Sequence, residues 1–401
     1  MEITIDLSNI FVPSILRNFV KASENDLFAI DTEAHVAAGD IVLVEAIPFE
    51  PPQRKQLGNV INYGERLMRE GETLLVKNEI PLSTAPLLSV VGNRFSTKAC
   101  AGGHTNPLTG QLNALMRPGQ LVWNLGNFNL VGILNYSCCS EQPAKLMLLG
   151  RLVGYDGKSC RLSDYPAEDR GTPTITYRVP LIVVVGDDTE CGKTECCRQI
   201  ARCVGQMGYQ YVYQKITGGP RVRDLVKVCC EDTSFEKLGG RVPLETLSQA
   251  GDFTDLGYPS SHTVDNLLEF VARSLSFLVY HAWSNRADMA IVEIAGNLHQ
   301  VPNLMILKGL LNVYSNTCAV AAAKHGIEST YSIVDELLKL GIDHRKLYVS
   351  GLVTQAVNSR FLKDYVEKVL KCTWIPSAVR ENRRCYEANN WQKLLHRLLS
   401  A

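Results

Sequence analysis

Two rhythms of apolar and polar positions divide the chain. Up to about residue 170, short apolar runs such as "DIVLVEAI", "GETLLV", "PLLSVV", "GQLVWNL" and "AKLMLLGRLVGYDGKSC" are separated by Gly, Asn and Asp. That spacing predicts short strands joined by turns, with "YDGK" at 155–158 closing a hairpin. One helix is expected near "NVINYGERLMREG". Such a segment suits a small barrel or sandwich. "PAEDRGTPTITYRVP" then reads as a connector, rich in Pro, Gly and charge without a period.

Beyond residue 180 the runs lengthen and alternate with helical patterns. "LIVVVG", "YVYQKI", "MAIVEIAG", "TCAVAAA" and "LYVSGLVT" are continuously apolar rather than alternating. Strands of that kind are buried on both faces, as in a parallel sheet. Helices are expected at 193–207, 263–284, 302–314, 329–340 and 358–371, with a terminal amphipathic helix after 380. The predicted architecture is α/β: a doubly wound parallel sheet over 173–401, preceded by a smaller β-rich barrel or sandwich over 1–172. A sheet of this type binds ligands at the carboxyl ends of its strands.

The length of 401 residues fits two domains better than one. With 46% hydrophobic and 20% charged residues the chain has an ordinary globular composition. Lys plus Arg and Asp plus Glu both count 41, so no basic excess points to nucleic acid or an anionic membrane. No apolar run reaches membrane-span length, and the N-terminus lacks the basic-then-apolar order of a signal peptide. A cytoplasmic protein is expected. The 13 cysteines include three adjacent pairs and no zinc-ligand spacing, so reduced thiols are expected. Cys196, Ile200, Cys203 and Met207 recur at helical spacing and predict a buried helix face.

Candidate chemistry centres on "VVVGDDTECGKTECC" at 183–197. A strand, a Gly-containing loop and Gly192-Lys193-Thr194 at a helix start form the context of a phosphate loop. In that arrangement Lys193, exposed in the empty loop, reaches the β- and γ-phosphates, and Thr194 offers its hydroxyl to Mg²⁺. Five residues separate Gly186 from Gly192, one more than the simplest pattern allows. Asp187, Asp188 and Glu190 are acids where an anion is to bind. Cys191 sits at a helix N-terminus, where a thiol is more readily ionised.

The stretch "GDDTECGKT" resembles the phosphate loop of the dethiobiotin synthetase-like family, GTDTxxGKT, with Asp187 replacing a Thr. "YQKITGG", "IVEIAGN", "AVAAAKHGIEST" and "GLVTQAVN" follow in that family's order, so the resemblance spans about 180–380. It implies Mg²⁺-ATP chemistry in which a carboxylate or carbamate attacks the γ-phosphate. Lys193, Lys215 and Asp188 would be catalytic. Gly186, Thr189, Glu190, Cys191, Gly192, Lys193, Thr194 and Gln355 would contact the nucleotide. Thr194, Glu293 and Asp188 would serve the metal. The resemblance further implies a homodimer with polar loops 251–263 and 324–330 lining the substrate pocket. Asp224, His262 and His325 are further candidates, each equally readable as a surface, capping or loop residue. A synthetase or small-molecule kinase is the first functional expectation. A nucleotide-dependent switch that uses the β-domain to bind a partner is the second.

Overall fold

A computed structural model describes residues 4–5, 16–22, 28–37, 39–46, 60–67, 73–81, 87–91, 95–98, 104–106, 116–125, 130–132, 134–137, 145–167, 179–188, 191–218, 222–230, 241–258, 266–351, 359–375 and 384–399. In the first part of the chain, Lys145–Gly154 pairs with Ile41–Ala46, which pairs with Leu87–Val91, then Leu130–Gly132, then Leu121–Leu125. The last of these pairs back onto Lys145–Met147, closing a ring of five strands. Ring closure satisfies both sheet edges and makes a small barrel, one of the two forms, barrel or sandwich, that the short apolar runs suit. The "YDGK" turn folds as expected: Gly154 N donates to Lys158 O at 2.9 Å, and Gly157 takes a positive φ of 74°.

The segment predicted as a helix near 59–71 is instead a strand, Val60–Leu67, paired antiparallel with Thr73–Pro81. Val60, Ile61 and Tyr63 favour extended backbone, and Gly64 weakens any helix through them. Arg241–Pro243, from the second half, joins the outer edge of Thr73–Pro81 and completes a three-stranded sheet.

In the second half we label the elements from the phosphate-loop strand onward: β1 (Leu181–Gly186), α1 (Lys193–Gln206), β2 (Tyr211–Lys215), α2 (Val222–Cys229), β3 (Ala250–Asp252), α3 (Leu267–Ser284), β4 (Met289–Glu293), α4 (Val301–Val313), β5 (Thr317–Ala322), α5 (Ile327–Lys339), β6 (Leu347–Ser350), α6 (Ser359–Asp364), β7 (Thr373–Trp374) and α7 (Arg384–Leu399). The sheet order is β3-β2-β4-β1-β5-β6-β7, and every pairing is parallel. Every residue of β1, β4, β5 and β6 is buried, which is why these strands read as unbroken apolar runs.

The chain winds outward from β1 in one direction and then returns past it in the other. Alternate residues of β1 therefore enter two cores. Ile182 and Val184 pack with Cys196, Ile200 and Cys203 of α1 and with Trp391 and Leu394 of α7. Leu181, Val183 and Val185 pack with α3, α4 and α5 through Leu278, Ile306 and Val334. The thiols of Cys196 and Cys203 thus lie on the helix face that their spacing predicts, and no disulfide joins the cysteines whose side chains are described. Leu16, Phe19, Phe28 and Ile30 belong to the first core as well, so the N-terminal segment contributes directly to packing on the α1 side. Among the described residues, no helix is long and apolar enough to cross a membrane.

Candidate functional site

Parallel pairing sets the site. β1, β4 and β5 end together, with Val184 opposite Glu293 and Gly186 opposite Ala322, so the loops leaving them share one sheet edge. Gly186 lies under the phosphate loop, where a Cβ would overlap the Cys191 sulfur and crowd the Lys193 ammonium. Gly192 caps α1 with φ at 101°, a conformation suited to glycine.

Lys193 is buried, not exposed as the sequence predicts. Its Nζ donates to Asp188 O at 2.5 Å and to Gly296 O at 3.0 Å, with Cys191 Sγ at 3.4 Å. Among the described residues, no carboxylate lies within ion-pair distance of it. The ammonium folds back onto carbonyl oxygens, leaving a buried positive charge that an anion would compensate. The Gly296 carbonyl is itself held in place. Ala295 N donates to Thr217 Oγ1 at 2.9 Å, and the buried Asn303 amide donates to Ala295 O and Asn297 O, both at 2.7 Å. The altered "IAGN" stretch thus still presents a fixed carbonyl to the loop lysine.

Thr194 Oγ1 donates to Glu293 Oε1 at 3.1 Å, and Tyr213 OH donates to Glu293 Oε2 at 2.8 Å. Glu293 is 2% exposed, so its carboxylate is fixed by two hydroxyls with almost no solvent contact. Burial first, then the Glu293 charge, pushes the Tyr213 hydroxyl far above its ordinary range, so it stays a donor. One strand over, Lys215 stands opposite Glu293 in register and forms an ion pair with Asp224 of α2.

The two acids that begin the loop have separate partners. Asp187 Oδ2 accepts from the backbone N–H of Lys324 at 2.9 Å and of His325 at 3.2 Å, fastening the phosphate loop to the loop after β5. Asp188 faces outward to His325 Nε2 at 3.1 Å and Lys324 Nζ at 3.7 Å. Cys191 is buried: burial pushes its thiol up, and the nearby Lys193 charge offsets this only in part.

The structure therefore brings Gly186, Cys191, Gly192, Lys193, Thr194 and Glu293 together, with Lys215 on the adjacent strand and Asp188 turned to the β5 side. Thr189, Glu190, Gln355 and His262 lie outside the described residues. Tyr213 and Asn303 were not foreseen. Their signals are faint: a Tyr two positions before Lys215 on a buried strand, and an Asn beside Pro302 in the first turn of a helix.

No family model matches the chain, and no curated protein matches it. Among solved structures, the chain is similar to the cell division protein FtsY of Thermotoga maritima at 15% identity and a TM-score of 0.32, over 60% of this chain and 75% of that one. It is similar to the signal recognition particle receptor FtsY of Elizabethkingia anophelis at 14% identity and a TM-score of 0.35, over 59% and 70%. The kinase domain of the Escherichia coli tyrosine kinase ETK is similar at 14% and 0.30, over 45% and 71%. Scores of this size carry no argument about activity. The P-loop α/β fold of the second half rests on its strand order and on the loop between β1 and α1.

Proposed function

We propose that the protein binds a Mg²⁺-nucleotide at the β1–α1 loop and transfers its terminal phosphoryl group to a small molecule. The observation that carries this reading is the pairing of a buried Lys193 ammonium, with no carboxylate at ion-pair distance among the described residues, and a Thr194 hydroxyl already seated on a buried carboxylate, Glu293. These residues fit both ligands. Phosphate oxygens would compensate Lys193 better than carbonyls do, and the backbone N–H groups that open α1 point the same way. Mg²⁺ in phosphate sites is held by one or two protein oxygens plus phosphate and water, which Thr194 and Glu293 can supply. When bound, the metal would neutralise charge on the phosphates. Tyr213 would keep the Glu293 carboxylate in one orientation, while Asp187 and Asn303 would keep the flanking loops from closing over the nucleotide.

ATP is the nucleotide we propose, with a cytoplasmic homodimer as the working assembly. The dethiobiotin synthetase-like resemblance favours a carboxylate or carbamate as acceptor, in a ligase-type reaction. The test is titration calorimetry with Mg²⁺-ATP, Mg²⁺-GTP and nucleotide alone, followed by light scattering. Binding of ATP that needs neither Lys193 nor Mg²⁺ removes the reading, and a monomer at every working concentration removes the dimer.

A second reading has one observation in its favour. Arg17, from the N-terminal segment, is bonded to Asp252 and Asp255 at the carboxyl edge of the same sheet. A nucleotide-dependent change at that edge would reach the barrel, as in a switch that binds a macromolecule. Turnover stimulated by a protein and by no small molecule would favour it.

A further inference from the structure

Both acids that open the phosphate loop reach His325. β1 and β5 lie side by side with Gly186 opposite Ala322, so Asp188 and His325 leave the same sheet edge within a few residues of the strand ends. Buried Asp187 accepts from the His325 backbone N–H at 3.2 Å and from that of Lys324 at 2.9 Å. Gly326, with φ at 102°, then turns the chain into α5. The backbone of His325 is thereby fixed to the phosphate loop. Asp188 holds its side chain, with Nε2 3.1 Å from Asp188 Oδ2. Lys324 Nζ lies 3.7 Å from the same carboxylate oxygen, and Asp188 O accepts from Lys193 Nζ at 2.5 Å. One imidazole and two ammonium groups therefore converge on Asp188, and Lys193 is the group that meets the β- and γ-phosphates in such a loop.

The hydrogen bond fixes the chemistry of the ring. An ionised carboxylate only accepts, so Nε2 carries the proton and Nδ1 carries the lone pair. Nδ1 has no partner among the described residues, and the side chain is 55% exposed, open to a ligand in the loop. Joining the two loops does not require the imidazole, since Asp187 already does so through the backbone. An imidazole whose tautomer is set by a carboxylate is instead the arrangement of a base or a nucleophile, because positive charge that builds on the ring is stabilised by the acid.

Resting on the phosphoryl-transfer reading above, we infer that His325 is the first acceptor of the γ-phosphoryl group, so that phosphate passes from nucleotide to small molecule through a phosphohistidine. In the first step the Nδ1 lone pair forms a bond to the γ-phosphorus. The bond from that phosphorus to the β,γ-bridging oxygen breaks, and its electron pair leaves with the nucleoside diphosphate. The ring becomes cationic, and its Nε2–H stays hydrogen-bonded to Asp188, which is a positioning residue. In the second step an oxygen of the small molecule attacks the same phosphorus, the N–P bond breaks, and its electron pair returns to Nδ1. Lys193 and Lys324 offset charge on the phosphoryl oxygens.

The experiment incubates the full chain with γ-labelled Mg²⁺-ATP and no acceptor, with calorimetry of nucleotide binding alongside. The wild type is expected to retain protein-bound label that is lost in acid and kept in alkali. Mass spectrometry should map it to His325, and phosphorus NMR should place it on Nδ1. His325→Ala should take up no label while its nucleotide affinity stays nearly intact. Asp188→Asn should slow labelling by about 100-fold or more, because an amide no longer holds the proton on Nε2. An unlabelled wild type that still binds Mg²⁺-ATP, an acid-stable label, label on another residue or on Nε2, or undiminished labelling of folded His325→Ala overturns the inference. Mapping on the wild type decides even where the variants do not fold. Absence of any Mg²⁺-ATP binding by the wild type is a different result, and removes the underlying phosphate-loop reading instead.

Discussion

Asp187 and Asp188 are neighbours in the chain, yet neither is placed to meet a phosphate head-on. Asp187 is buried and spends one carboxylate oxygen on two backbone N–H groups of the loop after β5. Asp187→Ala would strand both donors, and losing such buried, charge-assisted bonds costs about 1–3 kcal/mol. Denaturant titration should show that loss without nucleotide, and an unchanged midpoint would remove the fastening role. Lys193 is expected to behave in the opposite way. Among the described residues its buried ammonium meets two carbonyls and the Cys191 sulfur and no carboxylate, so Lys193→Met keeps the stem's packing and discards the charge. The melting temperature without nucleotide should match or exceed wild type. The stabilisation by Mg²⁺-ATP, about 2.7 kcal/mol at 100 times Kd for the wild type, should vanish. A variant that melts lower but still gains from nucleotide would contradict the assignment. At this scale the sequence was legible where a motif names residues, as with Gly192, Lys193, Thr194 and Glu293. It was silent on Tyr213 and Asn303, because a polar side chain on a buried element reveals its partner only once the fold has closed.

At the scale of elements, the second half was readable because its central strands are buried on both faces and read as continuous apolar runs between helical patterns; α1, α3, α4 and α5 begin within a few residues of their predicted starts. Val60–Leu67 was misread because a short segment with Leu, Met and Glu at its end carries helix formers, while its pairing with Thr73–Pro81 is a contact outside any local window. The helix predicted over 358–371 starts at Ser359 but changes its winding at Tyr365–Val369, which forms a π-turn. The helix α3 carries a titrating group away from the nucleotide edge. His281 is buried, stacks on Phe277, and its Nε2 lies 2.7 Å from Ser248 O, so the proton sits on Nε2. Burial lowers its pKa, while the Ser248 carbonyl and Asp255 act more weakly the other way. The unfolded chain therefore binds a proton that the folded chain resists. Stability is full above the unfolded value of about 6.5 and falls as pH drops below it, by at most about 1.4 kcal/mol per pH unit. Urea midpoints between pH 7.5 and 5.5 should show this slope, and His281→Gln should flatten it. An equal slope in the variant would place the titration elsewhere.

At the scale of the whole molecule, contacts cross the 172/173 boundary at which the rhythm changes. That change is visible in the sequence because it follows strand period. The contacts across it are not, because they join residues distant in the chain, more than 200 positions apart in the case of Arg17 and Asn18. Arg17 Nη2 lies 2.6 Å from Asp255 Oδ1 and 3.2 Å from Asp252 Oδ1, and Asn18 donates to Asp255 at 3.1 Å. Burial opposes the Arg17 charge, but the two carboxylates more than offset it and hold the guanidinium firmly protonated. Phe19 packs at a tilt against Phe28 and meets Tyr165 edge-on within the core that α1 and α7 share. Residues 173–401 produced alone would therefore lose an apolar layer and leave Asp252 and Asp255 without their cation. Breaking a buried ion pair by removing one partner costs about 3–5 kcal/mol, before the exposed core is counted. The fragment should unfold at a denaturant midpoint well below that of the full chain. Arg17→Met in the full chain should show the electrostatic share alone, and adding Asp252→Asn with Asp255→Asn should return part of it, since neutral side chains there no longer need the guanidinium. A fragment as stable as the full chain would show that the nucleotide half folds independently, and would reduce Arg17 to a tether between two self-sufficient domains.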